Sequence, residues 1–161
     1  MTVDVLALIR VLAGAGVEFV VVGGIAANIH GAARTTLDLD VVYGRSPENL
    51  SRLVAALAPH APYLRGAPPG LPFTWDVPTI QRGLNFTLTT ELGDLDILGE
   101  ITGGGRYEDL LGRAESVDLE GYRCLVVTLP TLIALKRAAG RSKDREALAE
   151  LEALLEERER L

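Results

Sequence analysis

The sequence has little cysteine, no long hydrophobic segment and no basic leader. Its single cysteine, Cys124, excludes a disulfide within the chain and cannot by itself hold a zinc ion. The apolar residues at 125–127 predict that Cys124 is buried. Aliphatic stretches such as residues 17–22 are interrupted within a few residues by Gly, Asp or Arg, and none approaches the roughly 20 residues of a transmembrane helix. Because Asp4 is not preceded by a basic residue, no secretory signal is expected, and we predict a cytoplasmic protein without membrane contact.

The sequence also lacks the basic balance of a protein that binds nucleic-acid backbones. It has 16 Lys and Arg against 22 Asp and Glu, a formal net charge of −6, and the acids are spread along the chain. Backbone binding usually requires a basic face, so DNA binding is not expected. Five cations do cluster within residues 136–145, and the simplest interpretation of that cluster is a solvated helix face.

Length and composition predict a single α/β domain over residues 1–161. The chain is 48% hydrophobic, which is enough for one core, and it has no internal repeat. We expect the core over about 5–127 and a C-terminal helical segment over about 130–160. Hydrophobic periodicity and turn residues predict the individual elements. Predicted helices are 3–13, 25–30, 47–57, 107–111, 130–139 and a last one capped by Ser142; predicted strands are 18–22, 34–43, 85–90, 94–98, 115–119 and 122–127; a proline-rich surface loop fills 59–78.

Two carboxylates share one face of the predicted strand 34–43, because alternate side chains of a strand point the same way. The outward set is Arg34, Thr36, Asp38 and Asp40, and the core-facing set is Leu37, Leu39 and Val41. The two acids are then about 6.6 Å apart at Cα and repel by roughly 2.5 kcal/mol. A divalent cation reverses that sign, and Mg²⁺ typically combines one or two carboxylates with substrate phosphates. Two solvated acids on an edge strand remain the alternative interpretation.

A glycine pair precedes this acidic strand. Gly23 and Gly24 lie between the predicted strand 18–22 and the short helix 25–30. Unpaired amides at a glycine-rich turn and a helix N-terminus favour an anion, so the pair predicts a phosphate site. A tight strand-to-helix turn is the alternative. A phosphate turn followed by an acidic strand is more specific than either motif alone.

A third carboxylate is predicted to complete the site. Two-metal phosphoryl transfer commonly requires a further acid that holds the second ion beside the attacking hydroxyl. We choose Asp96, because Leu95 and Ile97 flank it as strand residues. Asp94 follows the Gly93 turn and is interpreted as a turn acid.

In combination these motifs resemble the DNA polymerase beta-like nucleotidyltransferase superfamily. The similarity rests on residues 22–27, Val-Gly-Gly-Ile-Ala-Ala, and on residues 34–40, Arg-Thr-Thr-Leu-Asp-Leu-Asp. More narrowly, the chain resembles small prokaryotic nucleotidyltransferases related to the AbiEii toxin of type IV toxin–antitoxin systems. The resemblance spans about residues 5–155. It implies a nucleotidyltransferase fold, with a mixed central β-sheet flanked by helices (α/β, or α+β) and with C-terminal helices. Gly24 departs from the superfamily pattern, which often has serine there.

The resemblance also implies a reaction. A hydroxyl would attack the α-phosphate of a nucleoside triphosphate (NTP), accept the nucleoside monophosphate and release pyrophosphate, with Mg²⁺ or Mn²⁺ as cofactor. Asp38 and Asp40 would bind both metals, and Asp96 would complete the second site as the base. The nucleotide-binding residues would be Gly23, Gly24, Arg34, Thr36 and Lys136. The acceptor stays open between an RNA such as tRNA, a protein and a small molecule, and a cognate antitoxin is an expected partner. The alternative is a non-catalytic nucleotide-binding or toxin–antitoxin interaction module of the same fold.

Several single residues keep two interpretations. Arg34 is expected either to brace the carboxylates or to contact a phosphate. Lys136 is either a phosphate contact or a solvated cation, and Asp144 is a candidate for a late acid that the family carries near it. His30 and the loop residue Trp75 favour structural roles over catalysis and base stacking, respectively.

Overall fold

The computed structural model describes residues 3–161, with side chains from residue 5 onward except that of residue 143. Helices and strands are interspersed along the described residues, as the periodicity predicts. The helices are α1 (Val3–Gly14), α2 (Gly23–Ile29), α3 (Pro47–Leu57), α4 (Val77–Arg82), α5 (Tyr107–Leu110), α6 (Leu129–Ala139) and α7 (Arg145–Glu159). The strands are β1 (Phe19–Val22), β2 (Asp38–Tyr43), β3 (Tyr63–Leu64), β4 (Asn85–Thr90), β5 (Gly93–Leu98), β6 (Ala114–Leu119) and β7 (Tyr122–Val127).

Within the described residues, the strands form one seven-stranded sheet in the order β3-β4-β5-β2-β1-β7-β6. The pairs β1–β7 and β2–β5 are parallel, and the remaining neighbours are antiparallel. Helices α1 and α3 pack together, α2 packs on β1 and β2, and α6 contacts both α2 and α7. The predicted mixed sheet flanked by helices is therefore confirmed. None of the helices in residues 3–161 has the length and apolar content to cross a bilayer.

The core-facing side of β2 follows the predicted alternation. Leu39 and Val41 are buried, and their partners across the parallel pairing, Leu95 and Ile97, are buried as well. Burial of each such side chain contributes about 1.5–3 kcal/mol of transfer free energy. This apolar layer fixes the register of β2 against β5, because a slip of one residue would turn every core side chain to the opposite face.

Helix ends follow local chemistry where the sequence motif is strong. The Ser46 hydroxyl accepts a hydrogen bond from the Asn49 amide at 3.2 Å, and Pro47 begins α3. Helix α6 ends at Gly140, whose φ of 64° is in the left-handed region that glycine adopts without strain. Both predicted boundaries are confirmed.

The predicted strand 34–43 is wrong in its first half. Strand β2 begins at Asp38, and residues 34–37 have no regular structure. Leu37, expected in the core, is 72% exposed. The physical reason is the lack of partners, because the pairing of β2 with β5 begins at Asp38 and its pairing with β1 begins at Asp40.

The proline-rich segment is more ordered than the predicted surface loop 59–78. It contains β3, which adds an edge strand beside β4, and α4 starts at Val77 with the Asp76 carboxylate capping the Thr79 amide at 2.9 Å. The Trp75 indole donates to the Val54 carbonyl at 3.0 Å. Trp75 therefore packs the segment against α3, which is the role the sequence favours.

The last helix does not use its predicted cap. Ser142 lies inside a 3₁₀ turn, Ser142–Asp144, and α7 begins at Arg145. Asp144 precedes the helix without capping it, because its carboxylate is engaged by Lys136 and Arg141. The predicted cap by Ser142 is therefore wrong.

His30 and Cys124 have structural environments. The buried His30 ring places Nε2 at 2.7 Å from the Val127 carbonyl, and the Arg158 guanidinium contacts its Nδ1 at 3.1 Å. Cys124 is buried in β7, and burial raises its thiol pKa to about 11. The predicted burial of Cys124 is confirmed, and the contacts of His30 are those that its predicted structural role requires.

Candidate metal and nucleotide site

The register of the parallel pair β2–β5 brings three aspartates together. Asp38 lies opposite Asp94 and Asp40 lies opposite Asp96, so all four acids are on one face of the sheet. One carboxylate oxygen from each of Asp38, Asp40 and Asp96 lies within 4.8 Å of the others. These are the three acids selected from the sequence. Oxygen atoms of carboxylates are the ligands that Mg²⁺ prefers.

Gly23 closes one side of this cluster. Strand β1 pairs with β2 so that Val22 lies opposite Asp40, and the next residue, Gly23, begins α2 directly beside the Asp40 side chain. A Cβ atom on Gly23 would overlap the Asp40 carboxylate, and Gly23 has a φ of 66°. Only glycine combines that backbone angle with that close approach.

The surroundings of Asp40 disfavour its ionised form. Burial, followed by the negative charges of Asp38 and Asp96, raises its pKa from 3.8 to about 8, while Arg65 opposes the rise. Its Oδ1 atom is buried without a hydrogen-bond partner. A buried oxygen of this kind costs free energy unless a cation or donor satisfies it. The protein groups around the cluster therefore leave this buried oxygen of Asp40 unsatisfied.

Arg65 is the cation nearest to the third acid. It follows β3, and its Nη2 donates to the Asp96 Oδ1 at 2.8 Å and to the Leu88 carbonyl at 2.7 Å. Its Nε lies 3.3 Å from the Asp94 Oδ2. Asp94, interpreted from the sequence as a turn acid, is the second residue of β5 and forms an ion pair with Arg65.

Sequence reasoning missed Arg65. Its contact with Asp96 joins residues 31 positions apart and depends on the edge strand β3, which has only two residues. One signal was present: Arg65 is the only Lys or Arg between Pro59 and Pro78. A single arginine in this segment, whose one acid is Asp76, marks a residue worth pairing with an acid but does not indicate which one.

Thr36 lies against the second glycine of the pair. A Cβ atom on Gly24 would be 2.9 Å from the Thr36 Oγ1 and 3.0 Å from its Cβ, closer than real Cβ atoms come. The Thr36 hydroxyl is also 3.4 Å from Asp38. The absence of a side chain at position 24 therefore gives Thr36 the space beside the start of α2.

Lys136 borders the cluster from α6. Its Nζ lies 3.2 Å from the Asp144 Oδ1, and the Arg141 Nε donates to the Asp144 Oδ2 at 2.9 Å. Although burial alone would raise the Asp144 pKa, hydrogen bonds and charge from Lys136 and then Arg141 lower it overall. Lys136 is therefore oriented by Asp144 and is not a freely solvated cation.

Arg34 is placed differently from its prediction. Its Nη2 lies 3.0 Å from the Glu146 Oε2 and its Nε lies 4.0 Å from the Glu150 Oε1, both on α7. Its ion pairs are with α7 and not with Asp38, so the structure does not show the bracing role, and a phosphate contact by Arg34 in the polar recess stays a prediction. The cause is the irregular backbone at 34–37, which removes the strand alternation that would align Arg34 with the acids.

Two cavities meet at Asp40 and Lys136. One of about 270 Å³ has mainly apolar walls from β5 and α6, including Leu98, Leu132 and Leu135. The other, of about 390 Å³, has polar walls that include Arg34, Thr36 and Asp38. The carboxylate cluster thus lies at the junction of an apolar and a polar recess.

Comparison with known proteins supports the fold. No family model and no curated protein matches the chain. A crystal structure of a "putative nucleotidyltransferase" from Thermotoga maritima matches with a TM-score of 0.59 and 15% sequence identity, covering 91% of each chain. At this identity the similarity establishes the fold. The chain therefore has a nucleotidyltransferase fold with a carboxylate cluster compatible with binding a divalent metal.

Proposed function

We propose that the chain is a Mg²⁺-dependent nucleotidyltransferase that moves a nucleoside monophosphate from an NTP to a hydroxyl acceptor. The observation that supports this most is the cluster of Asp38, Asp40 and Asp96 beside the start of α2 in a nucleotidyltransferase fold. In the reaction, a bond forms between the acceptor oxygen and the α-phosphorus. The bond from that phosphorus to the bridging β-phosphate oxygen breaks, and pyrophosphate leaves.

The residues present fit a hard divalent cation. Asp38, Asp40 and Asp96 supply only oxygen donors, and the buried Asp40 Oδ1 has no protein partner. These three side chains would hold the metal, with Mg²⁺ preferred and Mn²⁺ an acceptable substitute. When bound, the metal would neutralise charge on the phosphates and orient the attacking hydroxyl.

The protein's own groups would bind and position the substrates. In this proposal the Gly23 and Gly24 amides and the Thr36 hydroxyl contact the triphosphate, and Lys136 neutralises it. Thr36 lies where a side chain on residue 24 would be, so its hydroxyl takes the place of the serine that often follows the first glycine in the superfamily. Asp96 accepts the proton of the acceptor hydroxyl. Most of the rate enhancement then comes from positioning and charge neutralisation.

Kinship with the AbiEii-related nucleotidyltransferases is part of the proposal. It is supported by the order of the motifs along the chain and by the contact between Lys136 and Asp144, the two late residues of the resemblance. An RNA end, a protein hydroxyl and a small molecule are all acceptors of the required chemistry. A cognate antitoxin is the partner protein that this kinship suggests.

Calorimetric titration with each NTP in the presence of Mg²⁺ tests the binding step. We expect binding to the wild type, loss of at least about tenfold in affinity in Asp38→Ala/Asp40→Ala, and no change in Asp118→Ala on the distant β6–β7 hairpin. Binding that is equal with and without Mg²⁺ would contradict the proposal.

Turnover separates the enzyme from a non-catalytic module of the same fold. Wild-type protein is incubated with labelled NTP and with total RNA, total protein or a small-molecule extract as acceptor, and pyrophosphate release is measured. We expect release that depends on Mg²⁺, on the acceptor and on Asp96. Metal-dependent binding without release, across acceptors of every class, would instead assign the chain to nucleotide sensing or to an interaction role.

A further inference from the structure

Arg65 donates a hydrogen bond to one oxygen of the third carboxylate. Its Nη2 donates to the Asp96 Oδ1 at 2.8 Å, a distance typical of a charge-assisted hydrogen bond. The same nitrogen is anchored to the Leu88 carbonyl at 2.7 Å, and the Arg65 amide donates to the Thr87 carbonyl at 2.9 Å. The guanidinium and the backbone amide of Arg65 are therefore both hydrogen-bonded to β4. Of the two Asp96 oxygens, only Oδ2 receives no hydrogen bond from Arg65.

The number of free carboxylate oxygens matters for the choice of metal. Ca²⁺ takes six to eight oxygen ligands and commonly uses both oxygens of a carboxylate. Mg²⁺ requires a near-octahedral set of six and generally uses one oxygen from each carboxylate. Selectivity between the two ions is therefore sensitive to whether a carboxylate can present one oxygen or both.

We propose that Arg65 is a metal-specificity residue, which restricts Asp96 to one available oxygen and thereby favours Mg²⁺ over Ca²⁺. This inference rests on the proposed function, because it concerns the metal held by Asp38, Asp40 and Asp96. Arg65 does not touch the metal in this scheme and acts only through Asp96. The planar guanidinium suits the task, since it can hold two acceptors in fixed directions, which a lysine cannot.

The ratio of the Ca²⁺ and Mg²⁺ dissociation constants is the appropriate readout. Removing the charge of Arg65 changes the attraction for both divalent cations alike, so the charge effect cancels in the ratio. The release of a second Asp96 oxygen favours Ca²⁺ more than Mg²⁺, so this effect does not cancel in the ratio. The ratio therefore distinguishes the proposed role from a simple counter-ion role, and it requires no acceptor and no turnover.

Calorimetry with CaCl₂ and MgCl₂ is performed on nucleotide-free wild type, Arg65→Met, Arg34→Met, Asp96→Asn and the double variant Arg65→Met/Asp96→Asn. Arg34→Met is the matched control, because it removes an arginine near Asp38 that pairs with α7 and does not touch Asp96. Circular dichroism melts establish that each variant is folded, and Arg65→Gln replaces Arg65→Met if the latter unfolds.

We expect the preference for Mg²⁺ to fall by about tenfold in Arg65→Met, the scale of one hydrogen bond to a charged group, and to be unchanged in Arg34→Met. In the Asp96→Asn background, the Arg65 substitution should leave the ratio unchanged, because asparagine has no second carboxylate oxygen to release. A ratio within twofold of wild type in Arg65→Met overturns the inference. The inference is also overturned if Arg65→Met changes the ratio as much in the Asp96→Asn background as it does in the wild type. If the wild type binds neither ion, the titrations are repeated with a saturating non-hydrolysable NTP analogue, because Mg²⁺ is commonly held by carboxylates together with substrate phosphates. Binding of neither ion there as well contradicts the proposed function, and the inference falls with it.

Discussion

The carboxylate of Asp40 fills the space that a side chain on Gly23 would need. The contact joins the end of β1 to the acidic strand β2, and the backbone of Gly23 has a φ of 66°. Glycine is therefore required at position 23 for two reasons, namely the positive φ and the close approach of the Asp40 carboxylate. These two requirements can be separated by experiment.

Gly23→Ala is expected to abolish metal-dependent nucleotide binding and to lower the free energy of unfolding by about 1–3 kcal/mol, measured by urea denaturation. The alanine methyl group displaces Asp40 in addition to straining the backbone. Gly16→Ala is the matched control, since Gly16 has a similar φ of 74° and a Cβ there would contact nothing within 4 Å. Equal effects in the two variants would show that backbone strain alone explains the glycine.

The raised pKa of Asp40 predicts how stability depends on pH. With a pKa of about 8 in the folded protein and 3.8 as the ordinary value, the native state binds one more proton than the unfolded chain between these limits. The free energy of unfolding of the metal-free protein should therefore fall as pH rises from about 4 through about 8, by at most about 1.4 kcal/mol per unit from this group. Urea denaturation at a series of pH values in EDTA measures the slope.

Asp40→Asn removes the titrating group, and the difference in slope between wild type and this variant isolates Asp40 from all other carboxylates. Mg²⁺ binds the ionised form, so the increase in Tm that Mg²⁺ gives the wild type should grow from pH 6 to pH 8.5. A wild-type slope identical to that of Asp40→Asn would contradict the assigned pKa.

The sequence predicted the acidic face of the site because strand alternation is a local property. Asp38 and Asp40 share a face through the period of two, and Asp96 was selected by the same rule on β5. The prediction failed at Leu37, because the extent of a strand depends on where its partners begin. The contact of Arg65 with Asp96 could not be predicted, since it exists only after β3 has paired with β4.

The contact between Gly24 and Thr36 predicts a compensating pair of substitutions. Gly24→Ser alone should destabilise the protein by about 1–3 kcal/mol, because its Cβ would be too close to the Thr36 side chain. Thr36→Ala alone should weaken NTP binding about three- to tenfold through the loss of one hydroxyl. The double variant should recover part of the stability and the binding, because the serine hydroxyl then occupies the space of the Thr36 Oγ1 and Cγ2 atoms while the close approach to the Cβ atom of residue 36 remains. Additive losses in calorimetry and denaturation would show that the two positions do not share one role.

Asp144 predicts a link between the C-terminal helices and the nucleotide site. Its buried carboxylate pairs with Lys136 at 3.2 Å and with Arg141 at 2.9 Å, so Asp144→Asn leaves the largely buried Lys136 without its counter-ion. We expect a loss of about 2–3 kcal/mol in the free energy of unfolding, together with weaker NTP binding because Lys136 is no longer oriented. Glu152→Gln is the control, since it breaks the exposed pair with Arg137 between the same two helices and should cost less than about 0.5 kcal/mol. If both variants lose the same stability and neither alters NTP affinity, Asp144 has only a structural role beside α6 and α7 and is not needed to orient Lys136 for the nucleotide.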